Sequence, residues 1–188
     1  MDEQDRVSQF VEQWRRERPD LDPSPIAVIG RMRRLSDMFT ARLIENYRTY
    51  GIGEGEFDVL CALRRAGHPF VLPHGAIAAH TMVTAGATSK RVDRLVRAGL
   101  ASRETNSGDA RGRLVSLTAR GLELIDDMYP VHLAKEKQML APLDAGERVQ
   151  LEALLLKLSL GNSESELDDT GKPPLARQRL DSAKGREA

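Results

Sequence analysis

TAGATSKRVDRLVRAGLASRETNSGDARGRLVSLT, residues 84–118, changes its periodicity part-way along, and that change decides the fold. From Ala85 to about Ala98 the apolar residues recur at helical spacing, and Gly99 closes the run. Leu100–Glu104 and Leu114–Leu117 then read as two short strands around a polar loop, Thr105–Arg113, that contains Gly108 and Gly112. Charge is concentrated here too. Between Met82 and Arg113 stand seven basic residues (Lys90, Arg91, Arg94, Arg97, Arg103, Arg111, Arg113) against Asp93, Glu104 and Asp109, a local excess of +4.

Working upstream, a short helix is expected over about His74–Met82, and another over Glu54–Ala66 that buries Phe57, Leu60, Cys61 and Leu63 and stops at Gly67. Ser24 suits an N-cap and Pro25 the first helical position of a long helix ending at about Tyr50 before Gly51. Its apolar residues (Val28, Met32, Leu35, Phe39, Leu43, Tyr47) spread over more than one face, as a helix packed against both its own domain and a partner would require. Residues 3–18 form an amphipathic helix with Val7, Phe10, Val11 and Trp14 at i, i+3, i+4 and i+7. Downstream, Thr118 caps a long helix to about Leu140, expected to bend at Pro130. Asp144 and Glu147 form a capping-box start for a helix carrying Leu151, Leu154, Leu155 and Leu158. The chain therefore divides into an extra N-terminal helix and linker (1–23), a long helix (24–51), a helix-rich lobe with a hairpin (52–120), two C-terminal helices (121–160) and a polar tail expected to be disordered (161–188).

Helix, helix, helix, hairpin in one unit is a winged helix-turn-helix: a mainly α fold with a small β-hairpin wing, whose last helix of the three enters a DNA major groove. Small residues at its start let the backbone approach DNA, and hydroxyls there donate to phosphates or base edges. The candidate contacts are Thr84, Gly86, Thr88, Ser89, Lys90, Arg91 and Arg94 on the helix, with Arg111 and Arg113 on the wing. The wing arginines suit a minor groove; Asp109 pairing with Arg111 to stiffen the turn is the other use of that loop. Lys90–Arg97 also has a plainer reading, as a solvated helix face.

Composition narrows the rest. The 188 residues carry zero formal net charge, so attraction to nucleic acid must come from a local patch. The single cysteine, Cys61, forbids an internal disulfide and agrees with a cytoplasmic location; mid-helix beside Phe57 and Leu60, it reads as a buried inert thiol. His68, His74, His80 and His132 lack metal-ligand spacing. There is no Gly-rich phosphate loop, nucleophile elbow, paired catalytic carboxylates, apolar signal core or membrane-spanning run, so neither an enzyme nor a membrane protein is expected, and no cofactor.

The run Lys90–Leu100 with Gly108–Thr118 resembles the recognition helix and wing of the MarR family, and the resemblance covers roughly residues 25–160. Departures are Ser89 for the usual Thr, Thr88 for Met, Asn106 for the first acidic residue of the wing, and Pro73-His74 for the Ser-Pro that begins the preceding helix. The resemblance implies a homodimer built from the first long helix and the two C-terminal helices, bound to a pseudo-palindromic operator as a ligand-released repressor. The N-terminal segments Trp14–Asp22, Ser24-Pro25, Val28–Arg31, Glu56–Leu60 and Leu63–Arg65 resemble the urate-responsive, PecS-like branch, which has an extra first helix bearing a tryptophan. On that resemblance the effector is urate or a related purine: Trp14 covers it, Arg65 binds its anionic edge, Asp58 is the displaced acidic neighbour and Arg94 links to DNA. Asp58 and Arg65, seven residues apart, share a helix face. Taken singly, Trp14 reads as an apolar anchor and Asp58 with Arg65 as an ordinary charge pair. Release by phenolic compounds or by thiol oxidation, and a ligand-independent architectural DNA binder, are the competing readings.

Overall fold

Residues 5–81, 85–105 and 113–163 are described by a computed structural model of the chain. The elements run α1 (Arg6–Glu17), α2 (Ser24–Thr49), α3 (Glu54–Arg65), β1 (Val71–Pro73), a 3-10 segment η1 (His74–His80), α4 (Ala85–Arg97), β2 (Ala101–Thr105), β3 (Arg113–Leu117), α5 (Ala119–Met139) and α6 (Ala145–Ser163). They fall into two units, Met1–Lys137 and Gln138–Ala188.

The first unit contains the core. Val59, Leu60, Leu63, Ile77, Val92, Leu95, Val115, Ile125 and Met128 are almost wholly buried, so α3, η1, α4, β3 and α5 all contribute to it. Tyr47 of α2 stacks on Phe57 of α3 with ring centroids 4.5 Å apart, and the Tyr47 hydroxyl lies 3.2 Å from His132 Nδ1 of α5. The other ring nitrogen of His132 faces Glu136 at 3.2 Å. This ring cluster ties α2 and α5 to the lobe. Gly121 permits a close crossing of α5 over the lobe, since a Cβ there would collide with the Leu100 carbonyl.

The expected hairpin is present, with Ala101↔Leu117 through Thr105↔Arg113 as its register and Ser102 Oγ 2.7 Å from Ser116 Oγ. Its sheet has a third strand that the sequence does not announce. β1 pairs with β3 from Val71↔Ser116 to Pro73↔Leu114, giving the order β1-β3-β2. Two further expectations need correction. The segment from His74 is a 3-10 turn ending at His80 rather than an α-helix to Met82. Ser24 is not the N-cap of α2: Pro23 holds that position, and Asp22 accepts from both the Ser24 backbone N–H (2.9 Å) and its hydroxyl (2.8 Å). A carboxylate two residues back reaches those donors better than a hydroxyl inside the first turn. Thr118 behaves as expected, its Oγ1 accepting from Gly121 N at 3.0 Å, and Pro130 lies inside α5.

α1 packs on α2 through Val7 and Val11. Asp5 fixes its start twice, accepting from Ser8 N at 2.7 Å and from Arg31 Nε at 2.8 Å. Phe10 and Trp14, by contrast, are exposed, as are Val28, Ile29, Met32, Leu35 and Met38 on α2.

The second unit contains α6. The Asp144–Glu147 capping box forms with both hydrogen bonds, at 2.8 and 2.9 Å. Every residue from Leu151 to Leu160 is exposed, six leucines among them. Gly161–Ser163 continue the helix, and the remainder of the expected tail lies outside the described residues.

Candidate nucleic-acid interface and effector pocket

Burial fixes the rotation of α4. At about 100° per residue Thr88, Val92 and Leu95 fall on one arc, and they are 2%, 0% and 1% exposed. Gly86, Ser89, Lys90, Asp93 and Arg97 therefore share the opposite arc, and the last four are exposed there. Thr88 is a correction: it was expected at the DNA, but a side chain packed into the core on the Val92 face has no hydroxyl to offer a groove. Gly86 lies in the first turn of α4, and Arg113 is exposed at the start of β3. Thr84 and Arg111 lie outside the described residues.

On one flank the outward arc is buttressed by the sheet. Arg103 of β2 pairs with Asp93 at 2.7 Å, joining wing and helix. His74, at the start of η1, places Nε2 3.5 Å from Ser89 Oγ. Partial burial lowers the His74 pKa below the ordinary imidazole value; Arg103 and Arg113 push it the same way, against Asp93.

On the other flank Arg91 and Arg94 turn toward α3. Arg94 Nη1 donates to Glu56 Oε1 at 3.0 Å, while Glu56 Oε2 accepts from Gly53 N at 3.1 Å. The Arg91 guanidinium lies so close over Gly55 that a Cβ there would overlap it, and its buried Nη1 has no hydrogen-bond partner. Half-buried Asp58 sits in the field of the same arginine. Desolvation and the neighbouring Glu54 push its pKa up, and Arg91, then Arg65, then His132 pull it down. Both arginines thus tie the recognition helix to α3: Arg91 lies inward over Gly55, whereas Arg94, paired with Glu56, stays exposed beside Lys90 and Arg97 at the margin of the outward arc.

Arg65 and Asp58 share a field but are not locked to each other: Arg65 Nη2 donates to the His80 carbonyl at 2.8 Å. Arg65 also lines a cavity of about 290 Å³ with Cys61, Arg64, Ile125, Asp126 and Tyr129. Arg64 is held there by Asp126 at 2.6 Å and lies 5.0 Å from the Phe70 ring centroid. Cys61 is buried in the cavity wall, and desolvation raises its thiol pKa to about 12. Neither Asp58 nor Trp14 lines this cavity; the Trp14 side chain projects half-exposed from α1. Among the described residues no cluster of His, Cys, Asp and Glu is arranged to hold a metal ion, and no described helix is long and apolar enough to cross a membrane.

Sequence reading counted Arg97 and Arg103 in the basic excess without assigning them roles, and it missed Glu56 and His74 as parts of the interface. The phase of α4 was the available signal, because apolar Val92 and Leu95 already point Thr88 inward.

Comparison with known proteins agrees with this geometry. Residues 50–112 match the MarR family profile. The HTH-type transcriptional regulator PecS of Dickeya dadantii is 37% identical over 149 residues, covering 79% of this chain and 90% of that protein. A mutant MarR from E. coli complexed with operator DNA superposes with a TM-score of 0.63 at 26% identity, covering 77% of this chain and 96% of that one. Bordetella bronchiseptica BpsR, whose DNA binding is regulated by 6-hydroxynicotinic acid, also gives 0.63 at 26% identity, covering 71% and 98%.

Proposed function

The chain belongs to the MarR family of transcriptional regulators, and from that premise we propose that it is a homodimeric repressor released from a pseudo-palindromic operator by urate or a related purine. In this reading α4 enters the major groove with Gly86, Ser89, Lys90 and Arg97 outward, and Arg113 follows the backbone from the wing. The exposed apolar faces of α2 and α6 close against a second copy, so that protein symmetry matches the two half-sites.

One observation carries the effector half. Asp58 couples the ligand side of α3 to the recognition helix, since both Arg65 and Arg91 act on its charge, while Glu56 on another face of α3 holds Arg94. An anion held by Arg65 repels Asp58 and draws on the same cations, which loosens the attachment of α4. The link to DNA then runs through Arg91 as well as through Arg94. A ligand favouring the non-binding state by about 1–3 kcal/mol weakens operator affinity roughly 5- to 150-fold. Trp14 takes part only where α1 closes toward the Arg65 edge. Gel-shift binding to DNA upstream of its own gene, titrated with urate at fixed salt, tests the reading; release that Arg65→Ala abolishes supports it, and binding unmoved by urate refutes the ligand.

An aromatic acid is the second reading. Tyr129 and Ile125 give the Arg65 cavity an apolar wall beside two guanidinium groups, and the similarly folded BpsR responds to 6-hydroxynicotinic acid. Release by a phenolic or nicotinic acid in place of urate would favour it.

A further inference from the structure

His74 stands at the edge of the outward face of α4, yet nothing in the mechanism above employs it. Its position is set by the sheet. β1 pairs with β3 as far as Pro73↔Leu114, so His74 is the next residue beyond that register, level with Arg113. Across from it lie Ser89, whose Oγ is 3.5 Å from Nε2, and Asp93 of α4. Arg103 of β2 completes the surroundings. Asp93 is already engaged by Arg103 at 2.7 Å, which leaves the imidazole beside two guanidinium groups with no acidic partner of its own among these neighbours. Partial burial first, and then these two arginines, lower the pKa of the ring and favour its neutral form in the free protein. The site is also a cationic corner, where Arg103 and Arg113 outnumber Asp93.

We propose that His74 is a phosphate-contacting residue of the DNA interface and that its imidazole takes up a proton as the duplex docks. The inference rests on the DNA-binding reading above. A phosphate brought to this corner offsets Arg103 and Arg113, so the charged form of the ring becomes favourable only in the complex. Nε2–H then donates to a phosphate oxygen, and the proton comes from solvent. The linkage sign follows. The free protein carries His74 neutral above its lowered pKa, and the complex carries it charged up to a raised one. Between the two pKa values affinity rises as pH falls, by at most about tenfold per unit for one proton. The phosphate contact also adds about 0.9 to the slope of log affinity against log salt.

The test uses fluorescence anisotropy with the full chain and a labelled duplex from upstream of its own gene, at fixed salt, from about pH 8 to about pH 6. The wild type is expected to bind about 5- to 10-fold more tightly at the acid end, with the steeper salt dependence there. His74→Gln, which keeps a hydrogen-bonding group but does not titrate, should lose that gain and match wild type at about pH 8. His74→Lys, charged throughout, should bind tightly at both ends. An unchanged pH dependence in His74→Gln overturns the proposal. So does an unchanged salt slope, which would mark a base contact instead of a phosphate contact. Absence of wild-type binding at every pH overturns the DNA reading beneath it, a different failure.

Discussion

The α3–α4 lobe and helix α6 solve opposite problems with similar residues. Leu60, Leu63 and Leu95 of the lobe are no more than 1% exposed, whereas Leu154, Leu156 and Leu160 of α6 are 58–60% exposed. The lobe completes its core within one chain; α6 and the outer face of α2 display apolar surface that one chain leaves in water. The contrast separates what folding needs from what assembly needs. A leucine in the lobe stabilises the fold directly, and on the proposed dimer a leucine on α6 would stabilise it through a second copy.

The strongest way to sharpen that contrast is a matched pair of truncations. Leu60→Ala should cost about 2–5 kcal/mol in denaturant unfolding, because it leaves a cavity that the surrounding core cannot collapse into. Leu154→Ala should change unfolding of the dilute chain by less than about 0.5 kcal/mol while weakening self-association by sedimentation. Equal costs at the two positions would break the comparison. Next in size is Gly55→Ala, whose new methyl must displace the Arg91 guanidinium. An overpacking cost of about 1–3 kcal/mol is expected, with a fall in DNA affinity because α4 loses its seat on α3; Gly75→Ala, where nothing lies within 4 Å, is the control.

Asp58→Asn tests α3 through pH. The folded-state pKa of Asp58 is raised, so the folded chain binds more protons than the unfolded one between the two pKa values. Its ionisation therefore costs stability as pH rises through that window, and the cost is absent below the unfolded carboxylate range. Asp58→Asn should melt at or above wild type near neutrality and lose that advantage near pH 3, measured by thermal unfolding. The smallest expected effect is at Cys61. A thiol with a pKa of about 12 is almost entirely protonated at neutral pH, so peroxide should leave DNA affinity unchanged and a thiol reagent should react only on unfolding. Release from DNA by peroxide would revive the thiol-switched reading.

The sequence showed the helices, the hairpin and the order of the lobe because each is a local signal: spacing, a cap, a glycine stop. β1 was hidden because it is three residues long, ends in proline and owes its existence to a partner strand more than 40 residues away. Ser24 misled because the helix starts one residue earlier than its capping preference implies, with Pro23 at the N-cap and Asp22 accepting from the Ser24 N–H and hydroxyl. At the site, residue types were legible and directions were not. Arg91 and Arg94 are read as DNA contacts from charge and from their place on the recognition helix; which neighbour each guanidinium meets in the free chain depends on Gly55 and Glu56, brought close by the packing of α3 on α4.

The strand order β1-β3-β2 carries one more consequence. The middle strand is the shared axle of the DNA-facing apparatus. Its one edge grips the outer strand of the wing, and its other edge grips the segment that leads without a break into η1. Torque applied to the wing by a bent or narrowed duplex is therefore delivered to one flank of α4 at two points, through Arg103 on Asp93 and through His74 beside Ser89. An operator that deforms easily would turn the reading head as a rigid piece, and a stiff one would resist it, so duplex mechanics enter sequence selection at positions that no side chain touches.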